Sequence, residues 1–351
     1  MFSLLLLVGL AVLLSSPAQQ QHKKQRQRTH EFLPAVRAAT ADDNSFITNQ
    51  TQRGVVMCAA NGMIQAALQM IWHVQYFWKA PLGVSVFHCA EISDENKRLL
   101  RAMSPYIHII DLCHNSKPAF GMNAREAQWR LRGFFCKVAG LVRSPFEETM
   151  LVDLDVVWFK KPSLLFESTS YRSTGALFFR DRVVFRNKKL TTASGGIIPS
   201  LLNKFFEEKG LVINETTAHQ RWLADGISLY WHHGALTLEG VGSIADFQES
   251  SVLLMDKRSH RKTIRLLEEL LPSFSIGYGD KEIYWIAATL TGEDFTFEPF
   301  LPGQYGDCAG TVFHYDPNQM DTPLEATPFY SNSEYMLEDL TFVGEVFSFP
   351  R

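Results

Sequence analysis

The stretch Thr149–Phe159 reads TMLVDLDVVWF and decides the fold. It is an apolar, strand-forming run that is interrupted by two carboxylates, Asp153 and Asp155. Side chains on a strand alternate between its two faces, so residues two apart point the same way. A buried ionised carboxylate is costly unless it is paired or binds a metal ion. The stretch therefore predicts a buried strand that carries a site for a divalent cation and a nucleotide.

Strand and helix patterns alternate upstream of this stretch. Short apolar runs at residues 55–58, 84–87 and 107–112 predict strands, and apolar residues at helical spacing over 63–77 predict a helix after the first of them. This alternation is typical of parallel strands with right-handed crossovers, whose ligands bind beyond the carboxyl ends of the strands. Asn61, which follows the first strand, is therefore expected to face the site and to contact the cofactor.

Further helices and strands complete an α/β pattern. Ser93 is expected to cap a helix over residues 94–103, and one apolar face over residues 124–142 predicts a core helix that carries Lys137. The other predicted elements are strands at 176–179 and 252–255 and a helix at 259–271. The fold class expected from this order is α/β, with a Rossmann-like, mostly parallel sheet flanked by helices.

Composition and charge exclude several classes of protein. The 351 residues are 46% apolar and 20% charged, which provides for a sizeable core and excludes general disorder. Lys and Arg number 34 and Asp and Glu 37, which gives a net charge of −3. Sequence-independent nucleic-acid binding needs a concentrated positive surface, so it is disfavoured. The chain has no G-x-G-x-x-G, G-x-x-x-x-G-K, H-E-x-x-H or G-x-S-x-G motif. Dinucleotide redox enzymes, nucleoside triphosphatases, zinc proteases and serine hydrolases are therefore disfavoured.

The N-terminus predicts entry into the secretory pathway. Residues 2–14 are uncharged and almost wholly apolar, and residues 16–18 form a small-x-small cleavage site. As a helix these 13 residues would reach about 20 Å, against a hydrocarbon core of about 30 Å. A cleaved signal peptide over residues 1–18 is therefore favoured over a retained signal anchor, which would hold the chain at a membrane.

The rest of the chain divides into a stem and one folded domain. Residues 19–52 are polar and lack periodicity, which predicts a flexible stem, and the folded domain is expected over residues 53–351. Acceptor sequons at Asn49 and Asn214 fit a lumenal protein. The cysteines have no C-x-x-C spacing, so a zinc site is disfavoured and at most two disulfides can form among Cys58, Cys89, Cys113, Cys136 and Cys308. Cys58 and Cys136 lie in apolar runs and are expected in the core.

Four segments together resemble glycosyltransferase family 71, the Golgi alpha-mannosyltransferases. They are Lys137–Pro162 (KVAGLVRSPFEETMLVDLDVVWFKKP), Tyr171–Arg182 (YRSTGALFFRDR), Tyr278–Trp285 (YGDKEIYW) and His314–Pro317 (HYDP). The resemblance implies a GT-A fold, a nucleotide-sugar donor that is GDP-mannose in the characterised family, a cation such as Mn²⁺ or Mg²⁺, and retention of the anomeric configuration. It also implies a glycan or glycoprotein acceptor and a Golgi location. The oligomeric state is not implied.

The resemblance assigns the cation and the donor diphosphate to four residues. Asp153 and Asp155 match the family's Asp-x-Asp motif and would hold the cation and the donor ribose or diphosphate. His314 matches a late histidine that completes the metal shell in related GT-A enzymes. Lys137 would reach a phosphate if it points to the edge of the sheet, and is otherwise a surface lysine.

The reacting sugar is assigned to two acidic segments and one strand end. Asp280 and Glu249 are the candidates for contacts at the anomeric carbon or the donor hydroxyls. Arg180 and Asp181 would contact sugar hydroxyls, or pair with each other as a structural ion pair. The chain departs from related transferases at Ser251, where a glycine is expected, and this departure bears on the identity of the sugar.

Three other functions stay open at this stage. The first keeps the reaction and uses a UDP-sugar donor, because nothing near Cys58 distinguishes guanine from uracil. The second is a lumenal carbohydrate-binding protein that has kept the fold without turnover. The third and weakest is a metal-dependent hydrolase, which is disfavoured because no histidine cluster suited to activating water is present.

Overall fold

The structure is a computed structural model that describes residues 52–113, 119–181, 183–184, 243–244, 248–274, 279–298, 302–304, 311–318 and 327–333. All of them belong to one compact unit, Ile47–Arg351. The predicted signal peptide or anchor, the stem up to residue 51 and both sequons lie outside the described residues, so the domain boundaries stay predictions. No helix in the described ranges is long and apolar enough to cross a membrane.

Seven strands form the main sheet. In spatial order they are β10 (Thr296–Phe297), β6 (Ala176–Arg180), β9 (Gln248–Asp256), β4 (Glu148–Val152), β1 (Arg53–Cys58), β2 (Gly83–His88) and β3 (Ile107–Asp111). The neighbours β4, β1, β2 and β3 run parallel, as do β10 and β6. Only β9 among these strands runs antiparallel to its neighbours, β4 and β6. This mixed, mostly parallel sheet confirms the predicted α/β class.

Helices cover the main sheet and set the position of Lys137. Within the described ranges the α-helices are α1 (Ile64–Trp72), α2 (Asp94–Met103), α3 (Ala124–Leu131), α4 (Phe135–Arg143), α5 (Thr169–Thr174), α6 (Arg261–Leu270) and α7 (Ile283–Thr291). A π-helical turn, His73–Phe77, extends α1, and short 3₁₀ segments lie at Asn61–Met63, Ala119–Gly121 and Pro162–Glu167. The predicted capping of α2 is confirmed, because the Ser93 hydroxyl accepts a hydrogen bond from the Asn96 amide at 3.3 Å. In α4, a Cβ on Gly140 would lie 3.0 Å from Val56, so this helix approaches β1 closely.

A second, antiparallel sheet adjoins the first. Its strands, in spatial order, are β11 (Gly303–Gln304), β12 (Thr311–Tyr315), β13 (Pro328–Ser333) and β5 (Val156–Trp158). The pair β7 (Val183–Val184) and β8 (Ser243–Ile244) forms a separate ribbon. The chain thus enters the second sheet for the first time at β5, directly after β4.

The prediction of one continuous strand over residues 149–159 was wrong. The carboxylates lie in a turn between β4 and β5, where the Asp153 amide donates to the Ser251 carbonyl at 2.7 Å and the Val156 amide donates to the Asp153 carbonyl at 3.3 Å. The apolar flanks are buried as expected, but they fill two different sheets. The argument that strand alternation aligns Asp153 with Asp155 therefore fails. A turn lets both carboxylates reach the surface of the cleft, which avoids the cost of burying them in the sheet.

The prediction of one helix over residues 124–142 was also wrong, because the chain breaks it into α3 and α4. Asn123 and Glu126 form a capping box at the start of α3, with the Asn123 side chain accepting from the Glu126 amide at 3.0 Å. The break falls at residues 132–134, where Gly133 weakens helix propagation. It allows α4 to begin afresh and places Lys137 in its first turn.

One of the possible disulfides is present in the described residues. Cys89 and Cys113 are bonded and link the ends of β2 and β3, while Cys308 lies outside the described residues. Cys136 is buried, as expected. Cys58 was expected in the core but is partly exposed, because it is the last residue of β1, where the sheet opens into a cleft.

Candidate active site

Lys137 lies at the centre of the site and joins the Asp153 turn to Asp280. Its Nζ is 3.0 Å from Asp153 Oδ1 and 3.2 Å from Asp280 Oδ1. The same ammonium donates to the Ser250 hydroxyl at 3.0 Å, so the lysine reaches three separate segments of chain. The side chains of Lys137 and Asp280 are 8% and 1% exposed, whereas that of Asp153 is 28% exposed. Lys137, Asp153 and Asp280 are called the open cluster below.

The far side of the open cluster is fixed by hydrogen bonds to Asp280. The Tyr284 hydroxyl donates to Asp280 Oδ2 at 2.7 Å, and the Ser250 hydroxyl donates to Asp280 Oδ1 at 3.3 Å. Tyr284 belongs to α7 and Ser250 to β9, both of which are in the core. Asp280 is therefore held rigidly, and only the Asp153 end of the open cluster meets solvent.

Burial and neighbouring charge shift the pKa values of the open cluster. Desolvation by the surrounding protein raises the pKa of Asp153 to about 7, although part of its side chain is open to the cleft. Lys137 opposes this rise, and the negative charges of Asp155 and Asp280 add to it. Burial alone would lower the pKa of Lys137, but Asp153 and Asp280 raise it above its ordinary value. Lys137 is therefore always protonated, and it contacts two carboxyl groups, those of Asp153 and Asp280.

Lys281 forms a second cluster with Asp181 and Glu249. Its Nζ is 2.5 Å from Asp181 Oδ2 and 3.5 Å from Glu249 Oε2. Glu249 Oε1 also accepts from the Ser251 amide at 3.0 Å. Burial would raise the pKa of Glu249, but electrostatic interactions with Lys281, His314 and Lys137 lower it to about 2, so this carboxylate is ionised. Lys281, Asp181 and Glu249 are called the closed cluster below, because the Asp181 and Glu249 side chains are only 3% and 5% exposed.

A cleft of about 450 Å³ opens beside the open cluster. Residues 58–60 at the end of β1 form one side of it, residues 131–134 between α3 and α4 form another, and Lys137 with residues 153–155 closes the end. Most of the lining is apolar, and its charged side chains are Glu91, Arg132, Lys137, Asp153 and Asp155. Met63 and Phe134 at its rim are each about half exposed. The cleft has the mixture of apolar walls and convergent polar groups that is typical of small-molecule sites.

His314 lies in the core on β12. Its ring stacks on Tyr330 with centroids 4.6 Å apart, and its Nδ1 is 3.4 Å from Glu298 Oε2. Both residues of this pair are fully buried. Burial raises the pKa of Glu298, while His314 and the Tyr315 amide, which donates to Oε1 at 2.8 Å, oppose that rise.

The donor set suits a hard divalent cation such as Mn²⁺ or Mg²⁺. Asp153 and Asp155 both face the cleft and offer carboxylate oxygens, which these ions prefer. The His314 Nε2 atom is buried and has no hydrogen-bond partner among the described residues. No three His, Cys, Asp or Glu side chains in the described ranges are grouped closely enough to hold an ion. The carboxylates alone fit a cation, and the part of His314 in its shell stays a prediction.

The remaining predicted residues lie around these clusters. Arg180 donates from Nε to the Glu298 carbonyl at 3.1 Å and lies over the Phe297 ring. Asn61 accepts hydrogen bonds from the Ser93 amide at 2.8 Å and the Asn96 side chain, and so connects the end of β1 to α2. Neither is among the residues that line the cleft. Their contacts with a donor remain predictions.

Sequence reasoning missed three residues that shape the site. Ser250 and Tyr284 hold Lys137 and Asp280, and Lys281 holds Asp181 and Glu249. Ser250 and Lys281 each adjoin a predicted acidic residue, and Tyr284 stands four residues after Asp280. That spacing places Tyr284 about one helical turn away, and it was the only signal that could have identified it.

This fold, with its carboxylate turn, buried lysine and apolar cleft, is that of a glycosyltransferase domain. The chain belongs to the mannosyltransferase family: the family model described as "Mannosyltransferase putative" matches residues 52–311. That range contains Lys137, Asp153 and Asp280. It stops short of His314.

Curated relatives carry related names. The Candida albicans protein named "Putative alpha-1,3-mannosyltransferase MNN1" is 22% identical, over 84% of this chain and 38% of its own length. Alpha-1,3-mannosyltransferase MNT2 of Saccharomyces cerevisiae is 20% identical, over 76% of this chain and 47% of its own length. The chain thus spans less than half the length of these relatives. Among solved structures, core-mannan synthase A from Aspergillus fumigatus, in a Mn/GDP form, is 12% identical with a TM-score of 0.44, over 84% of this chain and 86% of that one.

Proposed function

We propose that this domain transfers mannose from GDP-mannose to a glycan or glycoprotein acceptor, with the help of Mn²⁺ or Mg²⁺. Family membership and the names of the relatives support mannosyl transfer. The mannose of GDP-mannose is alpha-linked, so an alpha product would mean retention of configuration. We further propose that the reaction takes place in the lumen of the secretory pathway, in the Golgi. The apolar run at residues 2–14 supports this location.

The observation that carries the proposal is that Lys137 and Asp153 of the open cluster line the apolar cleft together with Asp155. A nucleoside diphosphate needs an apolar wall for its base and positive charge for its phosphates, and the cleft offers both. Lys137 supplies one charge, but Asp153 and Asp280 already neutralise it. A diphosphate would therefore be repelled by the surplus carboxylates unless a cation compensated for them.

Asp153 and Asp155 would hold that cation. A bound divalent ion would neutralise the diphosphate as the glycosidic bond breaks, a contribution of several kcal/mol. Lys137 contacts Asp153 at 3.0 Å and opposes the rise in the pKa of this carboxyl group that burial causes. The Ser250 and Tyr284 hydroxyls hold Asp280 in place by hydrogen bonds to its two carboxylate oxygens.

Glu249 and Asp280 are the proposed contacts of the transferred sugar, which the family resemblance suggests; both are buried, and neither is among the residues that line the cleft. An attacking or charge-stabilising carboxylate must be ionised, and Lys281 gives Glu249 that property. Two routes are compatible with such a carboxylate. In one it displaces GDP from the anomeric carbon and forms a covalent intermediate, which the acceptor hydroxyl then attacks, releasing the carboxylate and giving its proton to the GDP phosphate. In the other it stabilises positive charge while the bond to GDP breaks, the acceptor oxygen bonds to the anomeric carbon and the leaving phosphate accepts the hydroxyl proton.

A thermal-shift panel tests the donor assignment. The full chain is mixed with GDP-mannose, GDP, UDP-glucose, UDP-galactose or UDP, each with Mn²⁺ or with a chelator. We expect a cation-dependent rise in Tm with the GDP ligands only, because a ligand that binds the native state stabilises it by mass action. A rise confined to the UDP ligands would change the donor, and no rise with any of them would favour the non-catalytic carbohydrate-binding function.

Turnover of the double variant Asp153→Asn/Asp155→Asn tests the cation site. We expect Mn²⁺-dependent transfer from GDP-mannose to fall by at least about 100-fold, since several kcal/mol of electrostatic stabilisation would be lost. Glu268→Gln is the matched control, because this carboxylate lies on the surface in an ion pair with Arg143. Full activity of the double variant would remove the proposed cation role.

The location is tested by sequencing the N-terminus of the protein purified from its native source. We expect a mature chain that begins after residue 18, as a cleaved signal peptide requires. A chain that still begins at Met1 and pellets with membranes would instead establish a signal anchor.

A further inference from the structure

Two charged side chains of the cleft, Glu91 and Arg132, belong to neither the open nor the closed cluster. Both line the cleft, as do Lys137 and Asp153. Glu91 is half-buried and Arg132 is exposed. Arg132 Nε donates to the Cys89 carbonyl at 3.1 Å, which attaches its guanidinium to the turn that carries Glu91. An anion and a cation are therefore held by the same turn, which follows β2.

The turn that carries Glu91 is fixed at several points. A disulfide joins Cys89 to the chain that follows β3. Ala90 has a φ of 55°, which is uncommon for a residue other than glycine, and Asp111 accepts its amide at 3.0 Å. The Glu91 carbonyl accepts from the Asn61 amide at 3.1 Å, which attaches the turn to the end of β1. Such strained conformations cluster at ligand sites, where the surrounding structure maintains them.

The Glu91 carboxylate offers two acceptor oxygens to a ligand. Oε2 accepts from the Cys89 amide at 3.4 Å, and within the described residues no hydrogen bond reaches Oε1. Each carboxylate oxygen has two lone pairs, so Oε2 can accept a second hydrogen bond. Burial raises the pKa of Glu91, while the Cys89 amide and Arg132 oppose that rise. A ligand with two neighbouring N–H groups would match this carboxylate.

The order of the strands sets the distance between Glu91 and the proposed cation site. The strands β4, β1 and β2 run parallel, so their carboxyl ends lie at one edge of the sheet. Because β1 lies between the other two, and neighbouring strands are about 5 Å apart, the ends of β4 and β2 are about 10 Å apart. A nucleoside diphosphate is long enough to reach across β1. Phosphates beside Asp153 would then place the base near Glu91.

We infer that Glu91 and Arg132 recognise the guanine base of the donor and make the site specific for GDP. The Watson–Crick edge of guanine carries two adjacent donors, N1–H and the 2-amino group, next to the O6 acceptor. The Glu91 carboxylate would accept from both donors, and the Arg132 guanidinium would donate to O6. Uracil has one N–H between two carbonyl oxygens, so one of these oxygens would face the carboxylate and be repelled. This recognition rests on the proposed function, since it needs the donor phosphates at Asp153 and Asp155.

The experiment compares diphosphates that differ in one group of the base. The full chain is titrated calorimetrically, in the presence of Mn²⁺, with GDP, UDP and inosine diphosphate, which is GDP without the 2-amino group. We expect GDP to bind about 10- to 100-fold more tightly than inosine diphosphate, because the missing hydrogen bond is made to a charged group. GDP should also bind more tightly than UDP.

The isosteric variant Glu91→Gln gives the sharpest test. Its amide has one acceptor oxygen, so the preference for GDP over inosine diphosphate should disappear. Xanthosine diphosphate has a carbonyl oxygen in place of the 2-amino group, and the glutamine NH₂ can donate to it. Glu91→Gln should therefore bind xanthosine diphosphate more tightly than GDP, the reverse of the unsubstituted chain. A variant that had merely lost its fold would not gain a ligand in this way.

Arg132→Gln should weaken GDP and inosine diphosphate by the same factor, because both bases carry O6. Glu268→Gln is the matched control for Glu91→Gln, because this carboxylate lies on the surface in an ion pair with Arg143, and every Kd should stay unchanged. A preference for GDP over inosine diphosphate that persists in Glu91→Gln would overturn the inference and leave GDP as the donor nucleotide. Tighter binding of UDP than of GDP by the unsubstituted chain, or binding of neither, would refute the proposed donor and the recognition of guanine with it.

Discussion

Lys137 and Lys281 are each held between two carboxylates, but their clusters differ in how they meet solvent. In the open cluster, Asp153 keeps 28% of its side-chain surface exposed and borders the cleft. In the closed cluster, neither Asp181 nor Glu249 exceeds 5% exposure. The same local chemistry thus occurs once at a binding surface and once inside the protein.

Because the two clusters differ in their exposure to solvent, we expect them to have different roles. The open cluster has a carboxylate that can exchange its lysine for an incoming cation, since one end of the ion pair is free to move. The closed cluster has no such freedom, and its effect is to keep Glu249 ionised, with a pKa near 2. We therefore expect the open cluster to govern nucleotide binding and the closed cluster to govern the chemical step through Glu249.

Replacing each lysine by methionine should have the largest effect on both clusters. Lys137→Met and Lys281→Met should each lower the free energy of unfolding by about 3–5 kcal/mol, because each leaves buried carboxylates without their cation. Urea unfolding at neutral pH measures this effect. The double variant Lys137→Met/Asp280→Asn should recover part of the loss, since it removes one of the stranded charges.

The same two variants differ in their expected effect on function. Lys137→Met should weaken Mn²⁺-dependent GDP binding, whereas Lys281→Met should leave the GDP Kd unchanged and lower kcat. Binding titrations and turnover, at a temperature where circular dichroism shows both variants to be folded, separate the two effects. Equal weakening of GDP binding by both would show that the closed cluster belongs to the nucleotide site, and the distinction drawn above would be lost.

Much of the fold was predictable because its signals are local. Apolar runs of four to six residues and the Ser93 cap fixed the order of the first strands and helices. The break between β4 and β5 was not predictable, because the residues on both sides are equally apolar. β4 ends because the chain passes from the main sheet into the second sheet, where it forms β5. The strand that pairs with β5 lies about 170 residues further along the chain, at Tyr330.

The site divides in the same way between local and distant information. Asp153 and Asp155 are visible in the sequence because charge interrupts an apolar run. The contact between Lys137 and Ser250 joins residues 113 positions apart, and that between Asp181 and Lys281 joins residues 100 positions apart. No pattern within one segment reveals such pairs. Asp280 and Glu249 are identified by family resemblance, which supplies distant information that composition and spacing lack.

The pH dependence of stability sharpens the account of the closed cluster. A carboxyl group whose folded pKa is depressed stabilises the protein above its unfolded value, and this stabilisation is lost as the pH falls toward the folded value. For Glu249 the window runs from about 4.5 down to about 2. The unsubstituted chain should exceed Glu249→Gln in unfolding free energy by roughly 3 kcal/mol at pH 7, and this difference should shrink steadily below pH 4.5.

Urea unfolding at pH 7, 5, 4 and 3 measures that difference. Glu268→Gln serves as the control, because its carboxylate is 39% exposed and takes part only in a surface ion pair with Arg143, which contributes little to stability. A gap between the unsubstituted chain and Glu249→Gln that stays constant down to pH 3 would mean that Lys281 does not hold Glu249 ionised. The closed cluster would then be a packing feature.

Tyr284→Phe probes the rigid side of the open cluster with the smallest change. The variant removes the hydroxyl that donates to Asp280 Oδ2 at 2.7 Å, while Lys137 and Ser250 continue to hold the other oxygen. Hydrogen bonds to charged groups contribute about 1.5–3 kcal/mol, so urea unfolding should show a loss in that range. The GDP Kd should not change, because Asp153 keeps its contact with Lys137.

Tyr171→Phe is the matched control for this substitution. Its hydroxyl also donates to a carboxylate, Glu148 Oε2, at 3.1 Å, but that carboxylate has Arg53 as a second partner and is 12% exposed. Its loss should therefore cost less than the loss of the Tyr284 hydroxyl, since water and Arg53 can compensate. If Tyr171→Phe lowered the free energy of unfolding as much as Tyr284→Phe, Asp280 would not be held more rigidly than Glu148. If Tyr284→Phe also weakened GDP binding, Asp280 would have to move when the nucleotide binds, and the open cluster would respond at both ends.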